Sequence, residues 1–294
     1  MHMTAAILPA ILTIAAMMYH IKRYGQALSP DGNFYLQMAS GIAAVPAPYS
    51  LRPLLPLLCR NNATRWNIAS ITAAALTASF IALLAMLRGA DALPALVAGM
   101  AYIPLRIVSI AAFLPVLTDT VAVMLITAIG IADAAEITWL VVVLSVIGAM
   151  ASEKTPVFAA ALTLSPWPLC GLLVTLIMTR TSHVGVTGVE WLDNPVRAAI
   201  AQHKAFWHNP QRYLHTWGLL LPVALLSFSP MLIISLLFAY GQLLRAQDAA
   251  RLIQYAAPAV CVAAALTMTY IAVPVWAMFA GLALHWWAAQ SGEV

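Results

Sequence analysis

Three carboxylates stand out in a chain that is mostly hydrocarbon. They are Asp31 in Ser29-Pro30-Asp31-Gly32, Asp119 in Thr118-Asp119-Thr120, and Glu153 in Ser152-Glu153-Lys154-Thr155. A carboxylate acts as a general base toward a hydroxyl when its position is fixed. Asp31 meets that condition locally: Ser29 suits a helix N-cap, Pro30 the first helical position and an acidic residue the first turn. The same residues also describe an ordinary helix start. Asp119 opens an apolar segment, where a charge costs roughly 2.5–3.5 kcal/mol at the bilayer centre and is normally paired or functional. Arg106, in the apolar segment before it, is its candidate partner in a purely structural ion pair. Glu153 and Lys154 adjoin at a helix junction and point in different directions on a helix, so a solvated surface pair is the plain alternative.

Cations and aromatics accompany these acids. Arg52, Arg60 and Arg65 present guanidinium groups that grip phosphate bidentately, and Lys22 and Arg23 add charge near lipid headgroups. Tyr35 closes the segment that begins at Ser29. Further on, residues 194–217 interleave Arg197, His203, Lys204, His208, Arg212 and His215 with Phe206, Trp207, Tyr213 and Trp217. Such a stripe belongs at a membrane interface; contact of His208, Arg212 and His215 with a substrate phosphate is the sharper reading. No HExxH or comparable ligand spacing occurs. The three cysteines, Cys59, Cys170 and Cys261, are dispersed without a CxxC pair and read as small apolar packers. Neither a metal nor a cofactor is expected.

What must position these groups is a membrane bundle. Hydrophobic residues make up 63% of the chain and charged ones 8%, against about one quarter charged in soluble domains. The apolar runs are continuous rather than alternating, which selects helices over a barrel. A net charge of +4 in such a chain points to lipid phosphates rather than nucleic acid. The first run lacks preceding basic residues and reads as a retained helix rather than a cleaved signal.

The expected fold is all-α, a single transmembrane domain of eight to ten spans over residues 1–294. Helix one covers about residues 4–19. A long loop over about 20–67 holds an interfacial helix near 34–45, and spans follow at about 68–87, 93–113, 116–132 and 137–151. Counting crossings puts Asp31, Asp119 and Glu153 on one face. Residues 157–178 form one span, or two short helices turned back at Pro166-Trp167-Pro168. A polar loop over about 180–216 precedes a span at 217–240, and residues 256–289 make either a kinked helix or two tight ones.

The order of these motifs resembles the GT-C class of membrane glycosyltransferases. In that class a short first helix leads to a large extracytoplasmic loop carrying a catalytic Asp, similar to Ser29-Pro30-Asp31-Gly32-Asn33-Phe34-Tyr35, and then to a Pro- and Arg-containing segment, similar to Tyr49-Ser50-Leu51-Arg52-Pro53-Leu54-Leu55-Pro56. A helix opening with Asp and a later Arg-Glu-Thr junction resemble Thr118-Asp119-Thr120 and Ser152-Glu153-Lys154-Thr155. The likeness covers roughly residues 1–240, with Ser152 where the class has arginine and Lys154 as the displaced cation.

The resemblance implies inverting transfer of a sugar from a polyprenyl-phosphate donor to a glycan, lipid or protein acceptor. Asp31 would be the base, with Asp119 and Glu153 beside it. Arg52, Lys154, Tyr35, His208, Arg212 and His215 would be substrate contacts. It also implies a bacterial inner membrane, with the site on the extracytoplasmic face. The five basic residues of the first loop argue the other way, since Lys and Arg mark the cytoplasmic side. Rival readings are a secondary transporter using an Asp119–Arg106 relay, and a non-catalytic lipid-binding or assembly subunit.

Overall fold

The computed structural model describes residues 2–41, 45, 49–181, 200, 216–242 and 253–291. Among them all regular structure is helical. Helix α1 (His2–Tyr24) precedes α2 (Pro30–Ala39), a short 3-10 turn (Tyr49–Leu51) and α3 (Leu54–Cys59). Next come α4 (Ala63–Leu87), α5 (Ala92–Tyr102), α6 (Arg106–Phe113), α7 (Asp119–Ala134), α8 (Thr138–Ala151), α9 (Thr155–Thr163) and α10 (Gly171–Thr181). The described remainder holds α11 (Leu220–Leu225), α12 (Pro230–Gly241), α13 (Ala257–Tyr270) and α14 (Val275–Ser291).

Many helix contacts are made by small side chains, while many large apolar ones face outward. Ala74, Ala78, Ala82 and Ala85 of α4, Ala95, Ala98 and Ala101 of α5, and Ala257 and Ala263 of α13 are buried. Ile7, Ile11 and Ile14 of α1, Leu173 and Ile177 of α10, Leu237 of α12, and Trp276 and Trp287 of α14 are exposed. Water would drive the second set inward. In hydrocarbon no such drive exists, and helices associate instead by close contact of small residues. Gly99 marks one such contact: a Cβ there would stand 2.7 Å from the Ala78 carbonyl oxygen and 2.9 Å from Pro9 Cγ, where α5, α4 and α1 meet.

Among the described residues, α1 and α4 are long and apolar enough to cross a membrane, and α5 with α6 makes a third candidate as a pair bent by 46°. The expected count of eight to ten does not emerge, because breaks divide several apolar runs. The expected span at 93–113 is cut at Ile103-Pro104-Leu105, since Pro104 supplies no N–H to the helix ladder. The expected span at 217–240 is two helices separated by Leu226–Ser229, with Phe228 in the left-handed region at φ 47°. Residues 257–291 are two helices, parted before Pro274. The expected interfacial helix at 34–45 starts earlier, at Pro30, and ends at Ala39.

The region around Pro166 takes the broken form. Leu164 adopts φ 57° at the end of α9, a conformation L-residues rarely hold, and the chain turns through Trp167–Cys170 into α10. Helix α10 packs on α8 and reaches the Tyr49–Leu51 turn, so the chain comes back toward the end of the bundle where Asp31 lies. At nine residues, α9 extends only about 14 Å.

Polar contacts at helix ends fix the direction of several helices. Gln26 and Asn67 pair through their amides, joining the end of α1 to the start of α4. The Ala27 N–H donates to the Phe113 carbonyl, bringing the end of α6 there too. At the opposite end Arg88, just past α4, meets Asp133 near the end of α7 at 3.0 Å, and the Asp91 N–H reaches Thr269 near the end of α13. Helices α4 and α7 therefore run parallel, and both begin at the Asp31 end.

Candidate functional site

The site grows from the start of α2. Ser29 Oγ accepts the Gly32 N–H at 2.9 Å, so the expected cap is present and Asp31 occupies the first turn. A Cβ at Gly32 would lie 3.2 Å from the Val116 carbonyl oxygen, so glycine lets α2 sit close to the segment that leads into α7. The Tyr49 hydroxyl donates to Asp31 Oδ1 at 2.8 Å. Phe34 stacks on the Tyr49 ring, with centroids 4.6 Å apart, and Tyr35 meets it edge-on at 5.6 Å. The carboxylate is thus oriented by an aromatic wedge whose members come from both halves of the first loop.

Three residues after Tyr49, Arg52 turns inward. Its Nε donates to Glu153 Oε2 at 2.8 Å and its Nη2 to Glu153 Oε1 at 2.7 Å, while Nη1 donates to the Tyr35 hydroxyl at 3.0 Å. This is the planar fork-to-carboxylate geometry that arginine alone provides. Tyr35 Oη lies 3.4 Å from Thr118 Oγ1, the residue before Asp119. Asp119 accepts a 2.6 Å hydrogen bond from the Tyr255 hydroxyl, which also lies 3.4 Å from Ser152 Oγ, the residue before Glu153. Lys154 holds its ammonium 5.4 Å from the centroid of the Tyr255 ring, within cation–π range.

The result is a ring of contacts. Asp31 connects through Tyr49 and Tyr35 to Arg52 and Glu153; Tyr35 connects through Thr118 to the start of α7; and Asp119 connects through Tyr255 and Ser152 back to Glu153. Residues more than a hundred positions apart in the chain meet at one end of the bundle.

Electrostatics follow from this packing. Burial alone would push the Glu153 carboxyl up, but the Arg52 guanidinium outweighs it and holds the group at about 2. Burial likewise opposes the Arg52 charge, and Glu153 more than offsets that, leaving Arg52 above its ordinary range. The Tyr49 phenol is pushed up by burial and then by the Asp31 carboxylate beside it, so it stays a neutral donor. Burial also raises Tyr35.

The expected site residues differ in exposure and partners. Arg52, only 6% exposed, and Tyr35, at 1%, spend their hydrogen bonds on protein partners and do not present an open phosphate clamp. Asp119, 4% exposed, is held by Tyr255, and no ion pair joins it to Arg106 among the described residues. Asp31 and Glu153 are both half-buried. His208, Arg212 and His215 lie outside the described residues. Among those described, no three of His, Cys, Asp or Glu converge as metal ligands.

Sequence reasoning missed Tyr49, Tyr255, Ser152 and Thr118 as members of the site. Tyr49 was open to discovery, because a phenol three residues before an arginine in a proline-flanked segment is an obvious donor. Tyr255 reads only as the start of a long apolar run. Its placement depends on the turn Gln254–Ala256, where the buried Gln254 side chain accepts the Ile107 N–H and donates to the Thr216 carbonyl at 3.4 Å.

No family model, no curated protein and no solved structure matches the chain.

Proposed function

We propose that this protein is a membrane glycosyltransferase of the GT-C type, which moves a sugar from a polyprenyl-phosphate donor to an acceptor hydroxyl at the extracytoplasmic face of a bacterial inner membrane. The observation that carries this reading is the gathering of Asp31, Asp119 and Glu153 with Arg52 and Lys154 at one end of an apolar bundle. A donor anchored in lipid brings its phosphate to the rim of the bilayer, where such a cluster can meet it.

In this mechanism Asp31 removes the proton from the acceptor hydroxyl. The acceptor oxygen attacks the anomeric carbon opposite the phosphate, the bond from that carbon to the phosphate oxygen breaks, and the lipid phosphate departs with the electron pair. The sugar is inverted. Asp31 suits the role because it is half-buried and oriented by a neutral phenol. Lys154 supplies positive charge for the departing phosphate. Arg52 and Glu153 act as positioning residues: their fork holds the junction before α9 against the first loop.

The test is transfer from radiolabelled polyprenyl-phosphate sugars to a panel of acceptors by the purified, reconstituted protein. Asp31→Asn should lower turnover by roughly 10²–10⁴-fold with an unchanged unfolding temperature. Unchanged turnover removes Asp31 from the mechanism, and absence of transfer from every donor by the wild type removes the assignment.

A second reading draws on the closure of the Arg52–Glu153 and Asp119–Tyr255 contacts: a lipid-binding assembly subunit that holds polyprenyl phosphate without chemistry. It requires binding without turnover in the same assay. The transporter reading calls for an Asp119–Arg106 relay; among the described residues Asp119 is instead hydrogen-bonded to Tyr255.

A further inference from the structure

Helix α1 has two unlike faces. Ala5, Pro9, Thr13 and Met17 turn inward. Met3, Ile7, Ile11, Ile14 and Met18 are exposed, and at about 100° per residue they fall on one narrow stripe that continues to the exposed Lys22. From Met3 to Lys22 the stripe runs about 28 Å, close to the depth of a hydrocarbon core of about 30 Å. An uninterrupted apolar track thus ends on a cation.

The surroundings of that cation are basic as well. Arg23 lies 5.8 Å from the Tyr19 ring centroid and 5.4 Å from that of Tyr24, so two exposed aromatics hold its guanidinium at the collar of the helix. The Gln26–Asn67 amide pair brings the start of α4 to the same end, and with it the exposed Arg60 and Arg65. Through residue 90 the chain has a single acidic residue, Asp31, which is bonded to Tyr49.

Local stability accounts for only part of this. Lys22 and Arg23 suit the last turn of α1, where the helix dipole favours cations. Arg65 does not have that excuse: with Asn62 as N-cap it stands in the first turn of α4, where the dipole disfavours a positive charge. Arg60 sits at φ 51°, a strained position for a residue with a side chain. An external anion at this end would offset the charge penalty at Arg65.

We infer that the outer face of α1, with Lys22, Arg23, Arg60 and Arg65 at its head, is a docking site for an anionic phospholipid. The phosphate and acidic headgroup meet the four cations, Tyr19 and Tyr24 lie at the level of the glycerol backbone, and an acyl chain follows Met18, Ile14 and Ile11. This site lies on the lipid-facing surface, involves none of the carboxylates, and stands whether or not sugar transfer occurs.

The experiment uses the full chain in nanodiscs of equal phosphatidylglycerol and phosphatidylcholine, with retained lipids counted by native mass spectrometry after mild delipidation. Each basic group near a membrane surface is worth on the order of a fivefold preference, so the wild type should retain phosphatidylglycerol over phosphatidylcholine by about tenfold or more. The double variants Lys22→Gln/Arg23→Gln and Arg60→Gln/Arg65→Gln should each weaken the preference, and the quadruple variant should abolish it. Raising the salt should erode it in the wild type, a measurement that needs no variant to fold. Equal retention of both lipids, a preference that survives in the quadruple variant or in high salt, or displacement of the lipid by inorganic phosphate alone would overturn the inference.

Discussion

Arg52 and Glu153 define the site at the scale of the residue, because each would be an uncompensated charge without the other. Glu153→Gln should destabilise the protein by about 3 kcal/mol, the lower end for breaking a buried pair, since Glu153 keeps some exposure. The double variant Arg52→Met/Glu153→Leu should recover most of that loss. The pair also sets a pH window. The Glu153 carboxyl falls from an ordinary value of 4.5 to about 2 in the folded protein, so its contribution is whole above about 4.5 and is lost as pH falls toward 2. Unfolding temperatures in detergent should decline across that window in the wild type and stay flatter there in Glu153→Gln. Tyr255 offers an independent check: Tyr255→Phe removes a hydrogen bond to a buried carboxylate and should cost about 1.5–3 kcal/mol. An unchanged unfolding midpoint would show that Asp119 does not depend on this phenol.

At the scale of the element, close approach of backbones holds the bundle together. Gly99→Ala should destabilise by about 1–3 kcal/mol through overpacking against Ala78 and Pro9. Gly281→Ala in α14, where nothing stands within 4 Å of a new Cβ, should not. Equal effects of the two in thermal unfolding would contradict the packing account. Helix positions were largely legible in the sequence: α4, α7 and α8 end within a few residues of the apolar runs that announced them, and the Ser29 cap was plain from residue types alone. The breaks were legible only in part: those near Pro166 and Pro274 stood among the expected alternatives, the others did not. The expected span over 93–113 ran through Pro104 unbroken, and Leu164 and Phe228 take left-handed conformations without a glycine to mark them. The same limit governs the site. Counting crossings gathered Asp31, Asp119 and Glu153 at one end, yet nothing local showed that Arg52 would turn inward to Glu153 or that Tyr255 would reach Asp119.

At the scale of the whole molecule, charge among the described residues is distributed unevenly between the two ends. The carboxylate end carries Lys22, Arg23, Arg60 and Arg65 on its surface, whereas the far end sets Arg88 against Asp91, Asp133 and Glu136. A count of basic residues alone would turn the first end toward the cytoplasm; a lipid-phosphate partner for those residues is consistent with the extracytoplasmic orientation that the proposed reaction requires. Labelling distinguishes the two in a Cys170→Ser background, since Cys59 and Cys261 are buried. With an impermeant maleimide on intact cells, Thr64→Cys should react from outside and Ala135→Cys only after permeabilisation. The reverse pattern would place the carboxylates in the cytoplasm and remove the proposed donor from their reach.

The Arg88–Asp133 bridge clamps α4 to α7 at the far end, while at the other end the Trp66 ring packs against Tyr35 and the Tyr35 hydroxyl lies beside Thr118 at the entry to α7. Two parallel helices joined at both ends resist sliding past each other. Across the cluster, the Arg52 fork ties the short junction between α8 and α9 to the first loop, so three separate stretches of the chain are pinned to one another at a single end.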